Sequence, residues 1–213
     1  MATLSIDERV IDAAEGRHLL EVCLDNGIYI PHLCHVPGME RPPSSCRLCF
    51  VAVEDMKDPA ASCSLRVRDG MVVRTDTPEV RRLQRTAFEL LTSNHYFEPG
   101  CCAAGSCELQ AIVKFLKIPI KSKRLKKLAR DIPEEDHPYL ECVHTRCVLC
   151  GKCAYVCEKK QGRPYVSFAR RGLDMRISFF GETDPDSIPC DGCYACVDIC
   201  PVSAMLKKTD KKN

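Results

Sequence analysis

Residues 3 to 14, Thr-Leu-Ser-Ile-Asp-Glu-Arg-Val-Ile-Asp-Ala-Ala, alternate apolar and polar positions on either side of Asp7-Glu8, which predicts two short strands joined by a tight turn. From Arg17 to Asn26 the period changes: Leu20, Cys23 and Leu24 share one helical face, and Gly27 supplies a stop. Phe50 to Glu54 is strand-like again. Asp69-Gly70, between Leu65-Arg-Val-Arg and Met71-Val-Val-Arg, is the turn signal of a hairpin. Thr77-Pro78 then reads as cap and first residue of a helix running to about Leu91, and Ser106 as the cap of another through Leu116. Late in the chain, Val166 to Arg170 and Met175 to Phe179 predict a small hairpin across Arg171-Gly172.

These elements describe an α+β chain in three parts. Strand, strand, helix and closing hairpin are the plan of a β-grasp over residues 1–76. A small helical segment follows over 77–132, then an acidic, proline-bounded linker from Pro133 to Pro138 leads to a compact part over 138–208. Composition changes the picture at one point. Aromatic residues are scarce at 6% and Trp is absent, so ordinary apolar cores would be modest, yet there are 17 cysteines. A formal net charge of +2 argues against a dedicated nucleic-acid binder, and no apolar run approaches the length of a membrane span. Met-Ala-Thr-Leu-Ser shows no basic and apolar export signal, which places the chain in a reducing, cytoplasmic compartment where its cysteines are metal ligands or buried thiols.

Most of them fall in patterns. Cys147, Cys150, Cys153 and Cys157 form a C-x2-C-x2-C-x3-C run, and Cys190, Cys193, Cys196 and Cys200, followed by Pro201, form a second. Two residues between thiolates let the chain curl so that three sulfurs reach three corners of one cubane, while the fourth cysteine serves the other run's cluster. The expected [4Fe–4S] sets are therefore Cys147, Cys150, Cys153 with Cys200, and Cys157 with Cys190, Cys193, Cys196. Zinc, which takes pairs of C-x2-C, has no use for this repeat. A different pattern, Cys34, Cys46, Cys49 and Cys63, sits in a loop kept irregular by Pro31, Pro37, Gly38, Pro42 and Pro43; two sulfurs for each of two irons suit a [2Fe–2S] cluster. Cys23 is expected to be a core thiol and Cys142 to serve packing.

Ile30-Pro31-His32-Leu33-Cys34-His35, Ser45-Cys46-Arg47-Leu48-Cys49 and Ala61-Ser62-Cys63 resemble the [2Fe–2S] domain of the diaphorase small, iron–sulfur subunit of soluble NAD-reducing hydrogenases. The module is also similar to the N-terminal part of the large iron–sulfur subunit of complex I, of iron-only hydrogenases and of NAD-dependent formate dehydrogenases. His32 and His35 are expected near the cluster or at the surface rather than on the iron. The resemblance further implies a middle [4Fe–4S] site made by a histidine and three cysteines. The chain offers His95, Cys101, Cys102 and Cys107, but Glu98 stands where the family places its first cysteine, ahead of Pro99-Gly100-Cys101. Either the tandem Cys101 and Cys102 both bind with His95 and Cys107, or this cluster is altered or lost.

The resemblance runs the length of the chain and implies an electron-relay subunit. Complex I, formate dehydrogenase and iron-only hydrogenase relatives continue into a large further domain that is not seen after residue 213, and no G-x-G-x-x-G turn for a dinucleotide or Ser/His/Asp set is present. Flavin, NAD(P) and hydrogen chemistry are then expected on partner chains, a flavin/NAD(P)-binding subunit and a hydrogenase or other catalytic subunit. The alternative is the same role in an NAD-dependent formate dehydrogenase or an electron-bifurcating complex. Lys121 to Arg130, rich in Lys and Arg, reads as a solvated face or as a docking patch for an acidic partner.

Overall fold

The computed structural model describes residues 1–93, 95, 107–119, 137–181 and 188–208. The expected Ser106 cap, the basic run, the linker up to residue 136, Cys101 and Cys102 lie outside them. The chain divides into two compact units, Met1–Leu91 with Ile112–Ser122, and Thr92–Ala111 with Lys123–Asn213.

In the first unit, β1 (Ala2–Ile6) and β2 (Arg9–Ala13) form the expected antiparallel hairpin, with Ile6 facing Arg9. Asp7 and Glu8 both take positive φ, +46° and +67°, the backbone that a two-residue turn needs to match strand twist. The Asp7 carboxylate also accepts from the Thr75 backbone N–H at 2.8 Å, which anchors that turn. Strands β3 (Phe50–Val53), β4 (Ala60–Ala61) and β5 (Val72–Arg74) complete a sheet of order β2-β1-β5-β3-β4. Helix α1 (Leu19–Asp25) lays Leu19, Leu20, Val22 and Cys23 into a core shared with Leu4, Ile6, Val51, Val53 and Val73. Each such aliphatic side chain contributes roughly 1.5–3 kcal/mol by leaving water.

Two sequence expectations are corrected here. Helix α1 begins at Leu19 rather than Arg17 because the backbone before it is engaged elsewhere: Val67 N–H donates to Arg17 O at 2.8 Å and Leu19 N–H to Leu65 O at 2.9 Å. For the same reason Leu65 to Arg68 does not pair with Met71 to Arg74. Asp69-Gly70 does turn, but β5 runs parallel to β1 and antiparallel to β3, so both of its edges are occupied by strands remote in sequence.

Cys23 is fully buried, as expected of a core thiol. Burial first, and the Asp7 carboxylate second, push its pKa from an ordinary 9.0 to about 12. Between those values the folded chain keeps a proton that the unfolded chain has lost, so unfolding releases a proton there. The stabilisation is full below the unfolded value and is lost as pH climbs through the folded one. A Cys23→Ala chain is accordingly expected to show a shallower fall of melting temperature than the parent between pH 9 and 12; parallel curves would contradict the assignment.

Helix α2 (Pro78–Leu91) starts as the sequence predicts, with Thr77 Oγ1 accepting from Val80 N–H at 3.1 Å. Its buried face includes Gln84, whose Nε2 donates to Phe50 O at 3.1 Å and so satisfies a polar group in the core. Helix α3 (Glu108–Leu116) carries a buried stripe of Leu109, Ile112 and Leu116. Within the first unit, the Phe115 ring lies under Arg81 at 4.3 Å and edge-on to Tyr29 at 4.8 Å.

The second unit is built around two short antiparallel ladders. One pairs β6 (Leu140–Cys142) with β9 (Met205–Lys207), joining the two ends of the cysteine-rich part; the other is the expected hairpin, β7 (Val166–Ala169) with β8 (Arg176–Phe179). Helices α4 (Lys152–Gln161) and α5 (Ala195–Asp198) each begin on a cysteine loop. Leu140, Val166, Ile177 and Met205 share the core with Cys153 and Cys196. Among the described residues no helix is long and apolar enough to cross a membrane.

Candidate metal centres

In the first unit the loop between α1 and β3, with the second residue after β4, brings Cys34, Cys46, Cys49 and Cys63 together, all buried. They fall into two pairs. Cys34 and Cys46 lie with their sulfurs 3.4 Å apart, and Cys49 hydrogen-bonds Cys63. Within each pair one sulfur ionises at the other's expense: the partner's hydrogen bond brings Cys34 down to about 5 and Cys63 down to about 6, while Cys46 and Cys49 are raised. Two thiol pairs, each sharing one proton, are a donor set that fits two irons with two thiolates apiece.

Serine hydroxyls stand against one of these sulfurs. Ser44, held at φ +51°, places Oγ 3.2 Å from Cys63 Sγ, and Ser64 Oγ hydrogen-bonds Ser44. Toward an iron-bound thiolate only the hydroxyl can donate, and such donation stabilises the reduced, more negative site. Removing it by Ser44→Ala is expected to lower the potential of this centre in an EPR-monitored redox titration; an unchanged potential would mean the hydroxyl points elsewhere. His35 is buried with Nε2 3.2 Å from Glu21, and its pKa is lowered chiefly by burial. Nδ1 of His32 lies 2.8 Å from Ile30 O. Both histidines thus have protein contacts of their own.

In the second unit the two cysteine runs line two cavities. One is bounded by Cys147, Cys150, Cys153 and Cys200. The other is bounded by Cys157, Cys190, Cys193 and Cys196. The fourth cysteine of each run thus stands in the other run's cavity. Burial pushes Cys150, Cys190 and Cys196 up to about 12, 11 and 12, and raises Cys153 as well, so metal must displace protons to bind there. Donors converge on the sulfurs: Leu149 N–H on Cys147 at 3.4 Å, Tyr165 N–H on Cys157 at 3.2 Å, Ala204 N–H on Cys200 at 3.2 Å and Gln161 Nε2 on Cys193 at 3.4 Å.

The two loops repeat one backbone device. Leu149 and Gly192 precede the second cysteine of their runs, Gly151 and Tyr194 follow it, and all four have positive φ, between +44° and +78°. Leu149 and Tyr194 pay the steric cost of that conformation, which curls each run so that its thiols face one cavity. At Gly151 there is a second constraint, since a Cβ would come within 3.2 Å of the Phe168 ring. Among the described residues no group of three or more His, Cys, Asp and Glu is gathered closely enough to hold a single metal ion.

The middle segment contributes His95 and Cys107, both buried. Nδ1 of His95 lies 2.8 Å from Arg146 O, which fixes it as the protonated nitrogen. Glu108 N–H donates to Pro201 O at 2.9 Å, and Lys152 Nζ reaches Glu108 Oε1 at 3.2 Å. These three contacts hold His95 and Cys107–Glu108 against the loops that carry Cys147, Cys150, Cys153 and Cys200. The sequence had marked the cysteines but not Lys152, whose place between Cys150 and Cys153 was the available signal.

Residues 1–78 match the family model of a 2Fe-2S iron–sulfur cluster binding domain. The chain is 30% identical over 210 residues to an NADH-quinone oxidoreductase subunit of Rhizobium meliloti, covering 97% of this chain and 24% of that protein. It is 29% identical over 215 residues to NADP-reducing hydrogenase subunit HndD of Solidesulfovibrio fructosivorans, covering 97% and 36%. With the alpha subunit of the NADPH-Fe(3+) oxidoreductase of Geobacter sulfurreducens it shares 30% over 212 residues, covering 99% and 24%. The chain thus spans about a quarter to a third of the length of these curated relatives. One solved structure is matched over nearly all of both chains: a chain of NAD+-reducing [NiFe]-hydrogenase in the H2-reduced state, at TM-score 0.84 and 30% identity, covering 98% of this chain and 88% of that one. With its 2Fe-2S cluster binding domain and its cysteine loops, the chain belongs to the family of that hydrogenase chain.

Proposed function

We propose that the chain is the electron-relay iron–sulfur subunit of a multi-subunit NAD(P)-linked hydrogenase, passing single electrons between a flavin/NAD(P)H subunit and a hydrogenase module. The observation that carries this reading is the pair of cavities, each lined by three cysteines of one run and one of the other. The ligand assignment is Cys34, Cys46, Cys49 and Cys63 for a [2Fe–2S] cluster, Cys147, Cys150, Cys153 and Cys200 for one [4Fe–4S] cluster, and Cys157, Cys190, Cys193 and Cys196 for another. A third [4Fe–4S] cluster takes His95 through Nε2, with Cys107 and, from outside the described residues, Cys101 and Cys102. Three cluster-bearing parts, 1–76, 77–132 and 138–208, follow from that assignment. When bound, such clusters accept and release one electron at a time.

The chain's own residues do the rest. The thiolates hold the irons, the backbone N–H groups and serine hydroxyls on the sulfurs set how readily each site is reduced, and the buried Lys152 adds a positive charge beside one of them. The contacts of His95 with Arg146 and of Glu108 with Lys152 support a middle site near the Cys147–Cys153 loop, where an electron would have a near neighbour. A second reading, favoured by the identity with the NADPH-Fe(3+) oxidoreductase subunit, is the same relay role in a different NAD(P)-linked complex.

Anaerobic purification of the tagged chain with its partners tests the reading. Four clusters correspond to about fourteen irons per chain, and about ten would remove the middle cluster from the assignment. In that complex both NAD(P)H and hydrogen are expected to reduce the chain's EPR signals. Reduction by NAD(P)H alone would favour the second reading, and reduction by neither would overturn both.

A further inference from the structure

The two cysteine loops share a spacing and a backbone but not a charge. Counted from Cys147 to Cys157 and from Cys190 to Cys200, they place Lys152 and Ala195 at the same step, one residue before the third thiol. Both residues are buried, each 7% exposed, so one loop carries an ammonium where the other carries a methyl group. The other charges widen the contrast. The first loop holds no further Lys, Arg, Asp or Glu, whereas the second holds Asp191 and Asp198, both exposed. Apart from the thiols, the formal charge is therefore +1 in the first loop, from Lys152, and −2 in the second, from its two aspartates.

The Lys152 charge is felt by its own loop. Nζ lies 3.2 and 3.4 Å from the two carboxylate oxygens of Glu108. Burial is the first cause of the raised Cys150 pKa; against it work the Lys152 backbone N–H, which donates to that sulfur, and the ammonium itself. The paired carboxylate cancels only part of the field, because the glutamate side chain is 41% exposed and the lysine side chain 8%. Water screens the exposed charge far more than the buried one. Lys207 does reach the second loop, with Nζ 4.1 Å from the centre of the Tyr194 ring, but it is exposed and screened in the same way. Reduction of a cluster adds one negative charge, which a buried cation favours and nearby carboxylates oppose. We infer that Lys152 makes the two C-terminal sites unequal: the site of Cys147, Cys150, Cys153 and Cys200 is the more easily reduced, and that of Cys157, Cys190, Cys193 and Cys196 the less. This rests on the cluster assignment above. Lys152 holds no iron; it positions the electron that the two sites share, on the side of Glu108 and Cys107, and no bond forms or breaks as that electron changes place.

The experiment is an EPR-monitored redox titration of the full, cluster-loaded chain, with the two signals assigned by their loss in Cys150→Ala and in Cys196→Ala. In the parent, the signal lost in Cys150→Ala is expected to have the higher midpoint potential; equal midpoints or the reverse order would overturn the inference. In Lys152→Gln, which is neutral but can still donate to Glu108, that signal is expected to shift to lower potential and the other to shift less. Lys152→Arg, which keeps the charge, is expected to stay near the parent. An unmoved midpoint in Lys152→Gln would overturn the inference, and so would an equal fall in Lys152→Arg, which would make the effect one of packing. The order of the two midpoints is read in the parent, so it decides the matter even where a substitution at Lys152 unfolds the loop. A parent that lacks the iron of two C-terminal clusters would instead overturn the cluster assignment itself.

Discussion

Cys196→Ala is expected to remove about four irons per chain, with one [4Fe–4S] signal and no other. Cys196 is the third thiol of its run and the second residue of α5, and it lies 7% exposed in the core with Leu140, Cys153, Val166 and Ile177. The alanine Cβ cannot bond iron, and among the described residues no further cysteine lines that cavity. The loss should also reach the fold. Cys157 lies on α4 while Cys190, Cys193 and Cys196 lie on the late loop, so a shared cluster cross-links segments far apart in sequence, and its binding free energy is folding free energy. The second unit is therefore expected to melt earlier, while the [2Fe–2S] signal of Cys34, Cys46, Cys49 and Cys63 stays in place. Iron and sulfide analysis beside EPR of the dithionite-reduced chain reads both. A variant that keeps its full iron content would remove Cys196 from the ligand set.

The second large effect concerns a pair that ligates nothing. Lys152 Nζ is 3.2 Å from Glu108 Oε1; the lysine side chain is 8% exposed and the glutamate side chain 41%. That asymmetry decides which half matters more. Removing the lysine leaves a carboxylate that water can reach, a loss of about 1.5 kcal/mol, as for a hydrogen bond to a charged group. Removing the glutamate strands a buried ammonium, which costs roughly 3 kcal/mol or more. Glu108→Ala is thus expected to destabilise the second unit about twice as much as Lys152→Met, although Glu108 is the more exposed partner. Thermal melting followed by the visible absorbance of the clusters measures it. Equal losses would mean that the ammonium has water of its own.

Legibility in the sequence followed the range of the forces involved. The cysteine runs could be read because their spacing is a constraint of covalent geometry, local to each loop; in the structure those cysteines line two cavities, one of which Cys142 also lines. Asp7-Glu8, Thr77-Pro78 and the β7–β8 hairpin could be read for the same reason. β5 could not. Asp69-Gly70 is a sound local turn signal, but the partners that win Val72 and Val73 are β1 and β3, and competition between remote strands leaves no mark in a short window. β6 and β9 are three residues each, too short for periodicity, and their pairing spans the whole cysteine-rich part. Cys142, expected to serve packing because it stands outside both runs, does pack against the core of the second unit and also lines a cavity. In the middle segment the sequence singled out His95 and Cys107, whereas the contact of His95 Nδ1 with the Arg146 carbonyl is visible only in the fold.

The β6–β9 ladder also has a bearing on portability. Leu140 stands opposite Lys207, so the stretch that carries both C-terminal ligand runs leaves and returns at neighbouring points. A segment with adjoining ends can be spliced into a surface loop of an unrelated scaffold, or rejoined and reopened elsewhere, without stretching the host backbone. The ladder thus makes the two-cavity stretch a candidate for transplantation, provided the host replaces the contacts that His95 and Glu108 make with it.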